Sequence, residues 1–383
     1  MKVVYIDYVL DPNSPGKTGL SDLVWDMASR VAEHGIDTHV IGPYFTDEVP
    51  STKVTLHRFP LPWIAYRNIL GHFLIVLRAA RVLRSIEFVD VVHVPEYFSS
   101  AVLSLLPLSN LPIVVTEPGN IFERVENGNP YDPFTTLIFK WAARRSSKRI
   151  SRLIATSHLM WDWWKKTGVP ASNLRLLPLG VDSEVFAPRK ANGEVHHIHQ
   201  DLFTILYVAR ISRENGLDVT LRAVASIHNR GLGVRLVIVG SGPAEKIMRE
   251  YADELGIGGL VSWEGWVSYD ILPEFYRAAD LLVFSGFSGG TPRVVLQAMA
   301  CGTPVVASAI GGIVDHVQEG VSGMLFTAGD HNELASKIVY LMDRGDIVNE
   351  MSGAAAVYAR KEITWDVVIM KLLNIYEEIT ANR

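Results

Sequence analysis

FTILYVARISRENGLDVTLRAVASIHNRGLGVRLVIVGSGP, residues 203–243, reads as strand, helix, strand. FTILYVAR and VRLVIVG are short apolar runs suited to strands buried on both faces. LDVTLRAVASIHNRG between them is helical. Strands joined through a crossover helix run parallel, with helices covering both faces of the sheet.

The same alternation extends in both directions. Toward the C-terminus, LLVFSG and TPVVAS are strands, while GPAEKIMREYADELG, YDILPEFYRAAD and TPRVVLQAMACG are helices. Toward the N-terminus, KVVYIDYVL, THVIG, VDVVHV, PIVVTE, RLIATS and LRLLPLG are strand candidates. Leu20, Leu23, Val24, Met27, Ala28 and Val31 fall at helical spacing, and Gly35 stops that helix. Periodicity is lost between Asp182 and Asp201, a stretch with Pro188, Gly193 and the run His196-His197-Ile198-His199. No second ligand cluster supports a metal at those histidines, so the stretch reads as a linker.

The chain is therefore expected to be α/β, with two doubly wound sheets. The first domain covers 1–182, a linker 183–200 and the second domain 201–363. The segment 364–383 carries a helical stripe of Trp365, Val368, Leu372, Ile375 and Ile379 and is expected to pack back on the first domain. Ligands in such sheets bind at the carboxyl ends of the strands.

The length of 383 residues suits two domains, and 48% hydrophobic with 20% charged residues excludes a disordered chain. A single cysteine, Cys301, excludes a disulfide framework and fits a reducing compartment. The net charge of −5 gives no ground for nucleic-acid binding. Residues 1–180 hold 19 Lys and Arg against 16 Asp and Glu, so the basic groups are concentrated in the first half. Asp7 and Asp11 interrupt the N-terminal apolar run, so no secretory signal is expected. A cytoplasmic protein, peripheral on the inner face of the membrane, is the expectation.

Three features of the second half suit a phosphorylated ligand. IVGSGP ends a strand with Gly240 and Gly242 just before a helix, where backbone amides can approach an anion, although such a turn also arises from packing alone. Arg210 stands at a strand end, where its guanidinium can reach phosphate bidentately. Gly289, Gly290 and Thr291 precede a helix whose first turn holds Pro292.

With YVARISRENGLD, LVIVGSGP, WEGWV, FYRAADLLVFS, GGTPRVVLQAMACGTPVVAS, GGIVDHVQEGVSGML, IATS and PLGVD in this order, the sequence resembles the retaining glycosyltransferases of family 4. The resemblance implies the GT-B fold, two Rossmann-like domains facing across a cleft. It implies transfer of a sugar from a nucleotide diphosphate, UDP or GDP, to a hydroxyl on a glycan or lipid-linked acceptor. No tightly bound cofactor and no metal are implied, and no Asp-x-Asp occurs in the chain. The donor side would be formed by Gly16, Gly19, Asn215, Gly240, Gly242, Val267, Gly289, Gly290, Thr291, Arg293 and Gln297. Arg210 and Glu117 would carry the catalytic roles, with His93 and Glu96 on the acceptor side.

The sequence departs from the family at four positions. Gly289 and Gln297 replace a pair of glutamates, Asn215 replaces a lysine that reaches the diphosphate, and Pro118 stands where a histidine contacts the sugar. Gln297 can still hydrogen-bond a diol, whereas Gly289 offers no side chain. Two readings follow: an active transferase, and a catalytically weak or inactive member that binds a nucleotide, glycan or partner. An oxidoreductase is disfavoured, because no G-x-G-x-x-G follows the first strand.

Basic amphipathic material lies in the first half. RNILGHFLIVLRAARVLRSI carries Arg67, Arg78, Arg81 and Arg84, and WAARRSSKRISR adds Arg144, Arg145, Lys148, Arg149 and Arg152. Such stretches can dock on an anionic membrane surface, and they can equally be core helices with a solvated charged face.

Overall fold

The computed structural model describes residues 1–7, 19–43, 53–59, 69–95, 103, 111–117, 147, 149–188, 202–287 and 290–381. Two compact units result. One comprises Met1–Pro178 with Val368–Arg383, and the other Leu179–Val367. Residues 179–188 therefore group with the second unit, and residues 189–200 of the expected linker, with its histidines, lie outside the described residues.

The first unit is built on a seven-stranded parallel sheet. In chain order its strands are β1 (Lys2–Ile6), β2 (Asp37–Gly42), β3 (Val54–Arg58), β4 (Val91–Val94), β5 (Ile113–Glu117), β6 (Arg152–Ala155) and β7 (Leu174–Leu176). Their spatial order is β3-β2-β1-β4-β5-β6-β7. The second unit has a six-stranded parallel sheet of β8 (Phe203–Val208), β9 (Val234–Val239), β10 (Val261–Gly265), β11 (Leu281–Phe284), β12 (Val305–Ser308) and β13 (Gly323–Phe326), ordered β10-β9-β8-β11-β12-β13. Both sheets reverse direction of growth once, between β1 and β4 and between β8 and β11. That crevice is where doubly wound sheets hold ligands.

The central strands are almost wholly buried, with Val3, Val4, Tyr5 and Ile6 in β1 and Ile205, Leu206 and Tyr207 in β8 at 1% exposure or less. Three strands, β3, β10 and β13, are absent from the sequence reading. All three are outermost, and their half-buried residues break the apolar run that marks a central strand.

The helix Ile69–Leu83 turns Ile75, Val76, Ala79, Ala80 and Leu83 into the core of the first unit and leaves Arg78 and Arg81 exposed. Ile75 and Val76, apolar residues of the stretch whose arginines suggested membrane docking, are thus occupied by packing. Arg67, Arg144, Arg145 and Lys148 lie outside the described residues. Among the described residues no helix is long and apolar enough to cross a membrane.

The helix Trp365–Thr380 buries the whole expected stripe, Trp365, Val368, Leu372, Ile375 and Ile379. From Val368 onward it groups with the first unit.

Candidate functional site

The carboxyl edge of the second sheet brings together most of the described candidate residues. Arg210 follows β8 by two residues and is exposed, with no hydrogen bond or ion pair from its side chain among the described residues. The turn after β9 lies directly against it: Ile211 N–H donates to Ser241 O at 3.0 Å, and Ala244 N–H donates to Ile211 O at 3.1 Å. Gly240 has φ +134°, and a Cβ there would collide with the Ala209 carbonyl. A Cβ on Gly242 would likewise strike the Ile211 carbonyl. Backbone packing therefore accounts for both glycines without any ligand.

The loop after β8 is also fastened across the crevice to β11. Ser285, which follows β11, donates its hydroxyl to Gly216 O at 2.7 Å and pairs with the Thr220 hydroxyl at 2.8 Å. Phe287 N–H donates to Glu214 O at 3.0 Å. Asn215 belongs to this scaffold: its side-chain amide donates to Arg210 O at 2.7 Å and to Ser212 Oγ at 3.2 Å. Its carbonyl accepts from the buried Tyr207 hydroxyl at 2.8 Å. Asn215, expected on the donor side, uses its side-chain amide to hold the Arg210 loop.

Beyond β11 begins the helix Arg293–Cys301, capped by Pro292 with no side-chain hydrogen bond to its first turn. Val295 N–H donates to Pro292 O at 3.1 Å, so the amides ahead of it are the ones a further acceptor could meet. Thr291, just ahead of it, is 5% exposed, and its Oγ1 is buried without a hydrogen-bond partner among the described residues. A buried hydroxyl left unpaired costs about 1–3 kcal/mol, so a polar ligand group arriving there has something to satisfy. Gln297, one helical turn on from Arg293, is buried and pairs with the Tyr276 hydroxyl at 3.1 Å. Gly290 accepts from Gly312 N–H at 3.4 Å, and Gly289 lies outside the described residues.

At the far side of this edge, Gly265 closes β10 and accepts from Gly240 N–H at 2.7 Å. Trp266, next in the chain, is 76% exposed, and Val267 after it is half-buried.

The first unit treats its candidates differently. His93, expected on the acceptor side, is fully buried inside β4, which corrects that expectation. Its Nε2 pairs with the Thr116 hydroxyl at 2.7 Å and its Nδ1 with the Tyr376 hydroxyl, which also meets the Tyr5 hydroxyl at 2.8 Å. Burial pushes the imidazole pKa down to about 3, so the ring stays neutral. Both nitrogens are used, and His93 serves the core.

Glu117 ends β5 and is buried at 7% exposure, and its carbonyl accepts from the Thr156 hydroxyl at 3.2 Å. Asp7, just past β1, is completely buried at the same carboxyl edge. It had entered the sequence reading only as an obstacle to a signal peptide. Gly16, Glu96 and Pro118 lie outside the described residues, and Gly19 opens the first helix. Among the described residues no group of three or more His, Cys, Asp or Glu is arranged to hold a metal ion.

Residues 18–185 match the family model described as Glycosyltransferase Family 4, and residues 188–361 match the one described as Glycosyl transferases group 1. A D-inositol 3-phosphate glycosyltransferase of Acidothermus cellulolyticus is 26% identical over 95% of this chain and 86% of its own. One of the same name from Mycolicibacterium smegmatis is 35% identical, but that match covers 55% of this chain and 49% of the relative. Among solved structures, sucrose-phosphate synthase from Thermosynechococcus elongatus matches with a TM-score of 0.84 and 20% identity over the full length of both chains. Anabaena HepE in complex with UDP matches with a TM-score of 0.78 and 19% identity, over 99% of this chain and 100% of that one. At these identities the structural matches speak for the fold.

Proposed function

The chain belongs to the family 4, group 1 glycosyltransferases of GT-B fold, and from that premise we propose that it transfers a sugar from a nucleotide diphosphate to a hydroxyl acceptor, with retention. The observation that carries this reading is the buried, unpartnered Thr291 hydroxyl at the uncapped start of the helix Arg293–Cys301. An anion is favoured at such a helix start by the exposed amides and the helix dipole. Arg210, at the adjoining strand end, supplies the positive charge, and Arg293 adds a second guanidinium in the first turn of the helix.

In this scheme the diphosphate lies at the β8/β11 crevice, and charge developing on the leaving group is stabilised by Arg210 and the helix amides. The donor is a UDP- or GDP-sugar; Anabaena HepE, of like fold, has been solved in complex with UDP-glucose. Gln297 meets the nucleotide through its amide, and Glu117 is the candidate acid–base or hydroxyl-binding group on the acceptor side. The acceptor is a glycan or a lipid-linked glycan. Exposed Arg78, Arg81 and Arg84 supply the charge for contact with an anionic membrane surface, and Arg78→Glu with Arg81→Glu should release the protein from anionic vesicles. Transfer should persist in EDTA.

One observation favours a second reading, a weak or inactive transferase that still binds nucleotide. Asn215 spends its side chain inside its own loop, so one cation of the family is lost without replacement at that position. Calorimetry with UDP and GDP tests the first reading: Arg210→Ala should weaken nucleotide binding tenfold or more. Unchanged affinity removes the diphosphate from this crevice. Release of nucleoside diphosphate across a panel of sugar donors then separates the active enzyme from the silent one.

A further inference from the structure

Two histidines of the first unit, His39 and His57, take no part in the reading above. We infer that this pair is a binding site for a first-row divalent cation of the zinc type, with water completing the coordination. His39 lies in β2 and His57 in β3, the outermost strand of the sheet. The parallel register sets His39 opposite Thr55 and Ile41 opposite His57, so both imidazoles belong to one face. His39 Nδ1 and His57 Nε2 are 2.7 Å apart, and the two rings are nearly parallel at 18°. The open edge of the sheet gives access: His57 is half-buried and Thr55 is exposed.

The groups around the pair prepare it for an ion. Asp37 Oδ1 lies 3.0 Å from His39 Nε2, and Lys2 Nζ lies 3.4 Å from the Oδ2 of the same carboxylate. The carboxylate accepts from His39 Nε2–H, which leaves a lone pair on His39 Nδ1, and His57 donates its Nε2–H to that lone pair. A change of tautomer at His57, with its proton moved to Nδ1, turns two imidazole lone pairs toward each other. A carboxylate behind a ligating imidazole fixes its tautomer and raises its basicity, and Asp37 also offsets the charge of Lys2. Zinc–nitrogen bonds of about 2.0–2.1 Å at a tetrahedral angle set the two nitrogens about 3.3 Å apart, so the rings need to open by only about 0.6 Å. Paired imidazoles select zinc, copper or nickel over magnesium and calcium, which take oxygen ligands. An ion held there ties the outermost strand β3 to β2.

The test is calorimetry on the full chain with zinc chloride, and with magnesium chloride as a second probe. The run His196-His197-Ile198-His199 competes for zinc in the same chain, so a variant with His196→Gln, His197→Gln and His199→Gln is titrated in parallel. Wild type and this triple variant should bind zinc with equal affinity and leave magnesium unbound. His57→Gln should bind zinc about tenfold more weakly or worse, and Asp37→Asn about tenfold more weakly through loss of the carboxylate behind His39. Zinc should also raise the unfolding temperature of the wild type and leave that of His57→Gln at its value in EDTA. Equal zinc affinity in His57→Gln and wild type overturns the site. Binding that disappears in the triple variant does so too, because the ion then belongs to the histidine run. A wild type that takes up no zinc at about 1 mM also overturns it.

Discussion

Each sheet reverses its direction of growth at one switch point of its own, yet the polar groups singled out in the two units are used differently. In the first unit the centre of the sheet holds a closed chain of partners, Thr116 to His93 to Tyr376 to Tyr5. In the second, the crevice edge holds a buried hydroxyl, Thr291, with no partner among the described residues. The first arrangement is complete in itself, and the second leaves one hydroxyl unpaired among the described residues. Satisfied polar groups in a core specify and hold structure, and under the proposed function the unsatisfied one is where the donor meets the chain. Burial alone would have ranked His93 above Thr291 as a site residue, and hydrogen-bond accounting reverses that order.

The largest effect should follow from removing the keystone of the closed chain. Tyr376→Ala deletes a fully buried ring and leaves His93 and Tyr5 without their shared partner, and should cost about 3–5 kcal/mol in denaturant unfolding. Tyr376→Phe keeps the ring and should cost about 1–3 kcal/mol, with nucleotide affinity unaltered. A loss of nucleotide affinity in the phenylalanine variant would break the division of labour between the units.

Gly240→Ala comes next. It forces a side chain into φ +134° and against the Ala209 carbonyl, so a penalty of about 1–3 kcal/mol is expected, read as a lower unfolding midpoint. No penalty would mean that the turn is held less firmly than its contacts imply.

Acid sharpens the comparison more gently. His93 has its pKa pushed from 6.5 to about 3 by burial, so it binds a proton in the unfolded chain long before the folded one. Its contribution to stability is therefore full above about pH 6.5 and is lost progressively as pH falls toward 3. Thermal unfolding followed from pH 7 to pH 4 should show that loss, reduced in His93→Gln. An acid sensitivity identical in the two proteins would place its origin elsewhere.

Much of this was legible in the sequence because central parallel strands are continuous apolar runs, and runs such as VRLVIVG and PIVVTE cannot be mistaken for a surface. The outermost strands β3, β10 and β13 were not, because one side of each faces less of the core and the run dissolves. Arg210, Thr291 and Gln297 were singled out as donor-side candidates through their spacing around a strand end and a helix start. His93 and Asn215 have partners in the structure that the sequence did not show, for one reason. A sequence shows that a polar side chain is present but not whether its own fold already supplies the partner.

Thr291→Val tests the central claim most directly, since it removes the hydroxyl and nearly preserves the shape. Unfolding and nucleotide titration should be measured on the same preparations. The expected result is an unfolding temperature unchanged or slightly raised without ligand, because the lost hydroxyl had no partner, together with nucleotide binding weakened about fivefold to tenfold. A destabilised protein that binds nucleotide as tightly as the wild type would contradict the account, and would make Thr291 a part of the scaffold like His93.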